Sequence, residues 1–332
     1  MIILLIRRTA AMPENNDNFD KYTPFFSASS SQLFLQKCYT QEKIADAEIK
    51  SYDNCYPFIY HLEHAKTYYN QAAIAPLSIQ PILTFYGFAQ LLKACLLTID
   101  PNYPESTSML AHGVTTRKKK KQQYEFLKDE VKTQKNGLFT CIAEKLFHIR
   151  HLEGEKFSMG TLMKEIPDMQ NFTWSISKKN FVALLPSPNG FQLPSTILDS
   201  YQMSSSRLEE FLKAKTNQIY SISEAPGTLH LKTEGVPIHN ATSPIRYNLA
   251  EGQFMLSLNK DSPAFSLPEL LIHYLISYNL SIIARYETEW WAELMKTMPN
   301  DDYPCIVQFL KISQAKVPFL IFEWIKSERF HI

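Results

Sequence analysis

Glycine is scarce in this chain, nine in 332 residues, and none of the nine falls into G-x-G-x-x-G or G-x-x-x-x-G-K-[ST]. The glycine-rich loops that cradle phosphates in dinucleotide-binding and P-loop folds are therefore excluded. The five cysteines, at positions 38, 55, 95, 141 and 305, are scattered and odd in number, and no two make a C-x-x-C. That spacing speaks against zinc ribbons and dithiol redox centres and for reduced thiols packed in a cytoplasmic protein. No G-x-S-x-G and no local signature of a cysteine nucleophile occurs, so the chain offers no legible catalytic centre. Excess charge is missing too, with 34 Lys+Arg against 33 Asp+Glu. Long uninterrupted apolar runs are also absent. Leu77–Ile99 is broken by Gln80, Gln90 and Lys93, and Phe265–Ala284 by Glu269, His273 and Asn279, so both read as buried core helices rather than membrane spans. The opening MIILLIRRT is too short for a signal-peptide core and reads as a short strand or an extension ahead of Met12.

What the chain does have is apolar and aromatic bulk: 45% hydrophobic residues, with 17 Tyr and 21 Phe, enough for one large or two ordinary cores. The apolar spacing is mostly helical. Ile82, Phe85, Tyr86, Ala89, Leu92 and Leu96 form a stripe on a helix over about 78–98, with Pro81 in its first turn. Ser29 and Gln32 stand at capping-box spacing, and separate helices are expected through IADAEIKSY and over about 60–73. Pro104-Glu105 reads as the start of a short helix stopped at His112-Gly113, and Asn136-Gly137 as a hairpin turn. Between about 171 and 259 the texture changes to short strand-like runs broken by Pro, Gly and Asn, interrupted by one helix behind Ser206-Arg-Leu-Glu209. Beyond Pro263 helical stripes return, including YPCIVQFLKIS and VPFLIFEWIKSERF, each introduced by a proline. The fold class is α+β, predominantly helical, with a small antiparallel sheet in the middle of the chain. The expected regions are an irregular 1–24, a helical 25–170 containing a basic loop 112–135, a strand-rich 171–262, and a helical 263–332 packed on the N-terminal one.

The basic loop is the strongest charge feature. Between Arg117 and Lys135 eight Lys/Arg stand against three Asp/Glu, a local +5 in a chain of +1, which leaves −4 elsewhere. Such a segment on a slightly acidic body suits an anion or an acidic partner. Its candidate binding residues are His112, Thr115, Thr116, Arg117, Lys118, Lys119, Lys120, Lys121, Lys132 and Lys135. Arginine binds phosphate bidentately, lysine as a point charge. His112 either orients a ligand or caps the expected helix end with its ring, and the capping role is the expected one. Arg285, on the apolar stripe of Leu271, Tyr274, Tyr278 and Ile282, is expected to pair with Glu287 or Glu289, with Trp290 and Trp291 to stack on it, or to form a second anion site. His61 with His64, and His148 with His151, have chelating spacing but no third ligand, so no metal or other cofactor is expected.

Three stretches carry a resemblance. YPFIYHLEHAKTYYNQAAIAPLSIQP, the long run from ILTFYGFAQ through AHGVTTRKKKKQ to DEVKTQKNGLF, and LSIIARYETEWW resemble the YaaC-like protein family of bacilli, over nearly the whole chain from about Phe25. In bacilli the family's gene commonly neighbours that of IMP dehydrogenase. The resemblance implies a link to guanine nucleotide synthesis, and the expected function is a non-catalytic regulatory protein that binds and inhibits IMP dehydrogenase, its basic loop 112–135 docking on an acidic surface or sensing the phosphate of a nucleotide effector. The helix at 77–98 also looks loosely like the cores of HEPN domains, implying as an alternative a nucleic-acid or nucleotide-binding helical protein. No Arg here has a His five to seven residues downstream, so the RNase motif of that class does not carry over. Nucleic acid is the less favoured ligand, since net charge is near zero and the basic run is short.

Overall fold

A computed structural model describes residues 17–116, 124–170, 179–216, 220–233 and 244–329. The chain forms two compact units. Among the described residues one runs from Asp17 to Met159 and again from His273 to Arg329, the other from Gly160 to Ile272.

The first unit is chiefly helical. It begins with a single turn α1 (Asp17–Asp20) and a 3-10 turn at Thr23–Phe26, where irregular chain was expected. Then come α2 (Ala28–Gln41), α3 (Ala47–Ile74) and α4 (Gln80–Ile99). The cap of α2 is Ser27, whose hydroxyl accepts the Ser30 N–H at 3.4 Å, so the capping-box reading of Ser29 and Gln32 is corrected. Two expected helices are fused in α3, which passes straight through Pro57. Pro57 lies on the exposed side, where the carbonyl it leaves without a donor is open to water, while Phe58, Ile59 and Leu62 bury the opposite side. In α4 most of the expected stripe is buried, Phe85, Ala89, Leu92 and Leu96 at no more than 5% exposure, while Ile82 and Tyr86 are half-buried; Phe88 and Cys95 are buried beside them. Each buried Phe or Leu contributes roughly 1.5–3 kcal/mol.

After α4 three short strands form an antiparallel sheet, β1 (Val114–Thr116), β2 (Glu130–Thr133) and β3 (Lys156–Ser158), in the order β1-β2-β3. Between β2 and β3 lies α5 (Leu138–Phe147). Strands of three or four residues are too short to show an alternating pattern, and this sheet was not expected.

A short helix α6 (Met159–Met163) leads into the second unit, with α7 (Ile197–Tyr201) and α8 (Ser205–Thr216). Here lie the strands expected mid-chain: β4 (Phe181–Ala183), β5 (Leu185–Ser187), β6 (Gly190–Pro194), β7 (Tyr220–Ala225), β8 (Thr228–Thr233), β9 (Ile245–Asn248) and β10 (Gln253–Ser257). They make two antiparallel sheets, β4-β10-β9 and β5-β6-β8-β7, instead of one. Leu193, Leu229 and Leu231 of the sheets bury against Ile197, Tyr201, Leu208 and Leu212 of the helices. Glu209 does not close a capping box. Ser204 accepts the Arg207 N–H at 3.4 Å, and the Glu209 carboxylate accepts the Ile222 N–H of β7 (2.7 Å) and pairs with Lys213 (2.6 Å). In the interior Arg246, with a side chain 3% exposed, faces Glu165, 0% exposed, at 3.4 Å. Arg246 also donates to the Phe265 carbonyl, and the Ser257 hydroxyl donates to the Glu165 carboxylate at 3.2 Å.

The chain returns to the first unit along α9 (Glu269–Tyr286), followed by α10 (Thr288–Thr297) and α11 (Asp302–Arg329). The last is one helix through Pro318, where two were expected. Its buried Val317, Leu320 and Ile321 hold it in register, and the Pro318 carbonyl accepts a hydrogen bond from the Tyr22 hydroxyl at 2.7 Å. Helices Gln80–Ile99 and Asp302–Lys326 are long and apolar enough to cross a membrane, and most of each is buried within the fold. All five cysteines are buried and none forms a disulfide.

Candidate functional site

His112 sits in a backbone crossing built on two glycines. Thr107–Leu110 is a lone 3-10 turn ending at Ala111, so the helix expected up to His112 does not form and its ring caps no helix end. Gly113 turns the chain into β1 with φ +76. Gly137 opens α5 with φ +132, and a Cβ on it would lie 2.3 Å from the Gly113 nitrogen. The Asn136-Gly137 pair is therefore the entrance of a helix and not a hairpin turn. The free amides of the first turn of α5 are satisfied across this crossing, Leu138 N–H by the Ala111 carbonyl (2.7 Å) and Phe139 N–H by the His112 carbonyl (3.1 Å). The Tyr274 hydroxyl of α9 donates to the same His112 carbonyl at 2.9 Å. The imidazole is thereby carried to the rings of Phe85 (5.1 Å between centroids), Tyr278 (5.5 Å) and Tyr86 (6.3 Å).

Arg285 reaches the same place from α9. Its Nη1 donates to the Tyr86 hydroxyl (2.9 Å), its Nε donates to the Ser281 carbonyl (3.1 Å), and its guanidinium lies over the rings of Tyr86 (5.6 Å) and Tyr286 (5.2 Å). The expected ion pair with Glu287 or Glu289 is not made. α9 ends at Tyr286, Glu287 leaves helical geometry (φ −114, ψ 49), and Glu289 belongs to the next helix. Among the described residues neither Arg285 nor Lys93 pairs with a carboxylate.

Lys93 completes the cluster. It stands seven residues after Tyr86 on the half-exposed side of α4, about 10 Å along the axis. Burial, then the positive charges of Arg285 and Lys93, hold the His112 pKa below the ordinary histidine value, so the ring is neutral near pH 7. Burial lowers Lys93, and burial together with Lys93 and His64 lowers His61, whose Nδ1 donates to Gln90 Oε1 at 2.6 Å. The bank of α3 is brought close by Gly87, where an added Cβ would meet the Tyr69 ring at 2.8 Å. Tyr68 then stacks near Tyr86, centroids 6.1 Å apart at 27°. These side chains make one half-exposed strip, the groove: Tyr86, Gln90 and Lys93 lie along α4, His61 and Tyr68 come from α3, and His112 and Arg285 approach from the crossing and from α9.

The sequence candidates therefore divide. His112 and Arg285, read as two separate sites, belong to one. Thr115 and Lys132 are register partners on the small sheet, with Lys132 opposite Lys156, and all three are exposed. Thr116 donates to the Glu130 carbonyl (3.3 Å), and Lys135 is exposed after β2. Arg117, Lys118, Lys119, Lys120 and Lys121 lie outside the described residues. His61 is engaged with Gln90, and no group of three or more His, Cys, Asp or Glu suited to a metal occurs among the described residues. Lys93, Tyr86 and Tyr68 were missed. The one available signal was the seven-residue spacing of Tyr86 and Lys93, which places a cation on an otherwise apolar helix.

Basic groups that face no carboxylate among the described residues, framed by aromatic rings, are the chemistry that suits an anion. The chain belongs to the YaaC-like Protein family, which matches residues 23–325. No curated protein and no solved structure matches it.

Proposed function

We propose that this is a non-catalytic regulatory protein of the cytoplasm that reads a phosphate-bearing ligand at Lys93, His112 and Arg285 and acts by binding and inhibiting IMP dehydrogenase. The observation that carries the ligand half is the gathering of two cations and a neutral imidazole in one groove, with no carboxylate paired to them among the described residues. A fold that kept Arg285 and Lys93 for stability alone would pair them, because unpaired cations resist burial. The partner half rests on the family, whose gene in bacilli commonly neighbours that of IMP dehydrogenase. The test uses the full purified chain, captured against IMP dehydrogenase and titrated into its assay with and without guanine nucleotide. Co-purification with a fall in turnover is expected. Neither retention nor any change in rate overturns the reading. The alternative, a HEPN-like nucleic-acid or nucleotide-binding protein, draws on the half-exposed Tyr68 and Tyr86 rings as a stacking platform. It predicts affinity for single strands that falls steeply with salt.

A further inference from the structure

The groove is longer than one phosphate. Its basic heads come from three different elements: Arg285 near the end of α9, His112 in the crossing before β1, and Lys93 towards the C-terminal part of α4. Tyr86, which holds Arg285, and Lys93 are separated by about 10 Å of helix, whereas a phosphate oxygen must come within about 3 Å of each donor. For a single phosphate to engage all three, the heads would have to converge. Repulsion between the two cations, Arg285 and Lys93, opposes that, and Arg285 is already tied in place by Tyr86 and Ser281. A chain of phosphates needs no convergence, because successive groups can meet Arg285 and Lys93 separately, with the neutral His112 ring as a hydrogen-bond donor. At the Arg285 end the half-exposed rings of Tyr68 and Tyr86 stack on each other, centroids 6.1 Å apart at 27°, an aromatic pair against whose edge a planar base can lie whatever its identity.

We infer that the groove takes a nucleoside di- or triphosphate, its phosphates spread across Arg285, His112 and Lys93 and its base against Tyr68 and Tyr86. This assignment rests on the anion-binding reading above and names the class of anion. It is independent of which protein the chain regulates. The charge balance favours a small ligand over a long strand: α3, which forms one bank, exposes Asp53 and Glu63 beyond the groove, and these repel a continuing phosphate backbone.

The experiment is calorimetric titration of the full chain, at fixed salt, with inorganic phosphate, pyrophosphate, GMP, GDP, GTP and a single-stranded RNA octamer. GDP and GTP are expected to bind at least about tenfold more tightly than GMP, and pyrophosphate more tightly than phosphate. Lys93→Ala is expected to erase the advantage of GDP over GMP while leaving GMP within about threefold. Tyr68→Ala is expected to weaken GDP but not pyrophosphate. Thermal melting of both variants, which sit on half-exposed positions, shows that they fold. Equal affinity for GMP and GDP, no binding by any of the small anions, or tighter binding of the octamer than of every mononucleotide each overturns the inference. Failure to capture IMP dehydrogenase with GDP still binding would leave this inference standing and remove only the partner proposed above.

Discussion

Two arginines show how the two units differ. Arg246, in the sheet-bearing unit, is 4% exposed and carries its counter-ion with it: Glu165 faces it, Ser257 bonds that carboxylate, and Phe265 offers a carbonyl. Arg285, in the helical unit, is half-exposed and held by a phenol, a carbonyl and two ring faces, with no carboxylate. A cation sealed from water must have its anion built into the fold, because unpaired it costs several kcal/mol. A cation at the lip of a groove is kept solvated at one side and can take its anion from outside. The first arrangement serves the core. The second leaves charge to spend on a ligand.

The comparison can be broken most severely at the buried pair. Glu165→Gln leaves the Arg246 charge uncompensated and is expected to destabilise the protein by about 3–5 kcal/mol, read by denaturant unfolding. A loss under about 1 kcal/mol would show that the pair is not the anchor of its unit. Next in size is Gly137→Ala, which demands both a positive φ from alanine and space already taken by Gly113. A loss of about 3 kcal/mol is expected in thermal melting, together with a displaced His112 ring signal by NMR. Arg285→Met sharpens the contrast from the other side. Removing a cation that has no carboxylate partner is expected to change stability by no more than about 0.5 kcal/mol, while anion binding is lost. The smallest effect is in pH. Because burial and neighbouring cations hold the His112 and His61 pKa values low in the folded state, the unfolded chain binds protons more readily than the folded one. Stability is therefore complete above the ordinary histidine range and declines as pH falls below about 6.5. His112→Asn should flatten part of that decline in melting curves taken at pH 7.5 and 5.5.

Much of the helical frame was legible. The stripe of α4 and Pro81 in its first turn fixed that helix to within two residues, since a mostly buried helix leaves little room for another period. Pro318 misled because a proline stops a helix only when nothing else holds the flanking turns, and buried residues on both sides hold them there, as they do around Pro57 inside α3. The family was legible from long unusual strings, and its match covers most of the chain. The groove was not legible as one object. His112 and Arg285 are brought together by tertiary packing, through Tyr86 and the carbonyl of His112, and no local spacing encodes that. Lys93 was visible only as a flaw in an apolar run. The lysines at 118–121, which dominated the reading of charge, lie outside the described residues.

The placement of sulfur has a practical use. Every cysteine, at 38, 55, 95, 141 and 305, belongs to the helical unit, and the stretch from Gly160 to Ile272 has none. A thiol-reactive dye added to the native protein is blind to the sheet-bearing unit and reacts only when the groove's own scaffold opens. Labelling rates with and without a candidate nucleotide thus report ligand-induced closure of that one half, with no engineered probe.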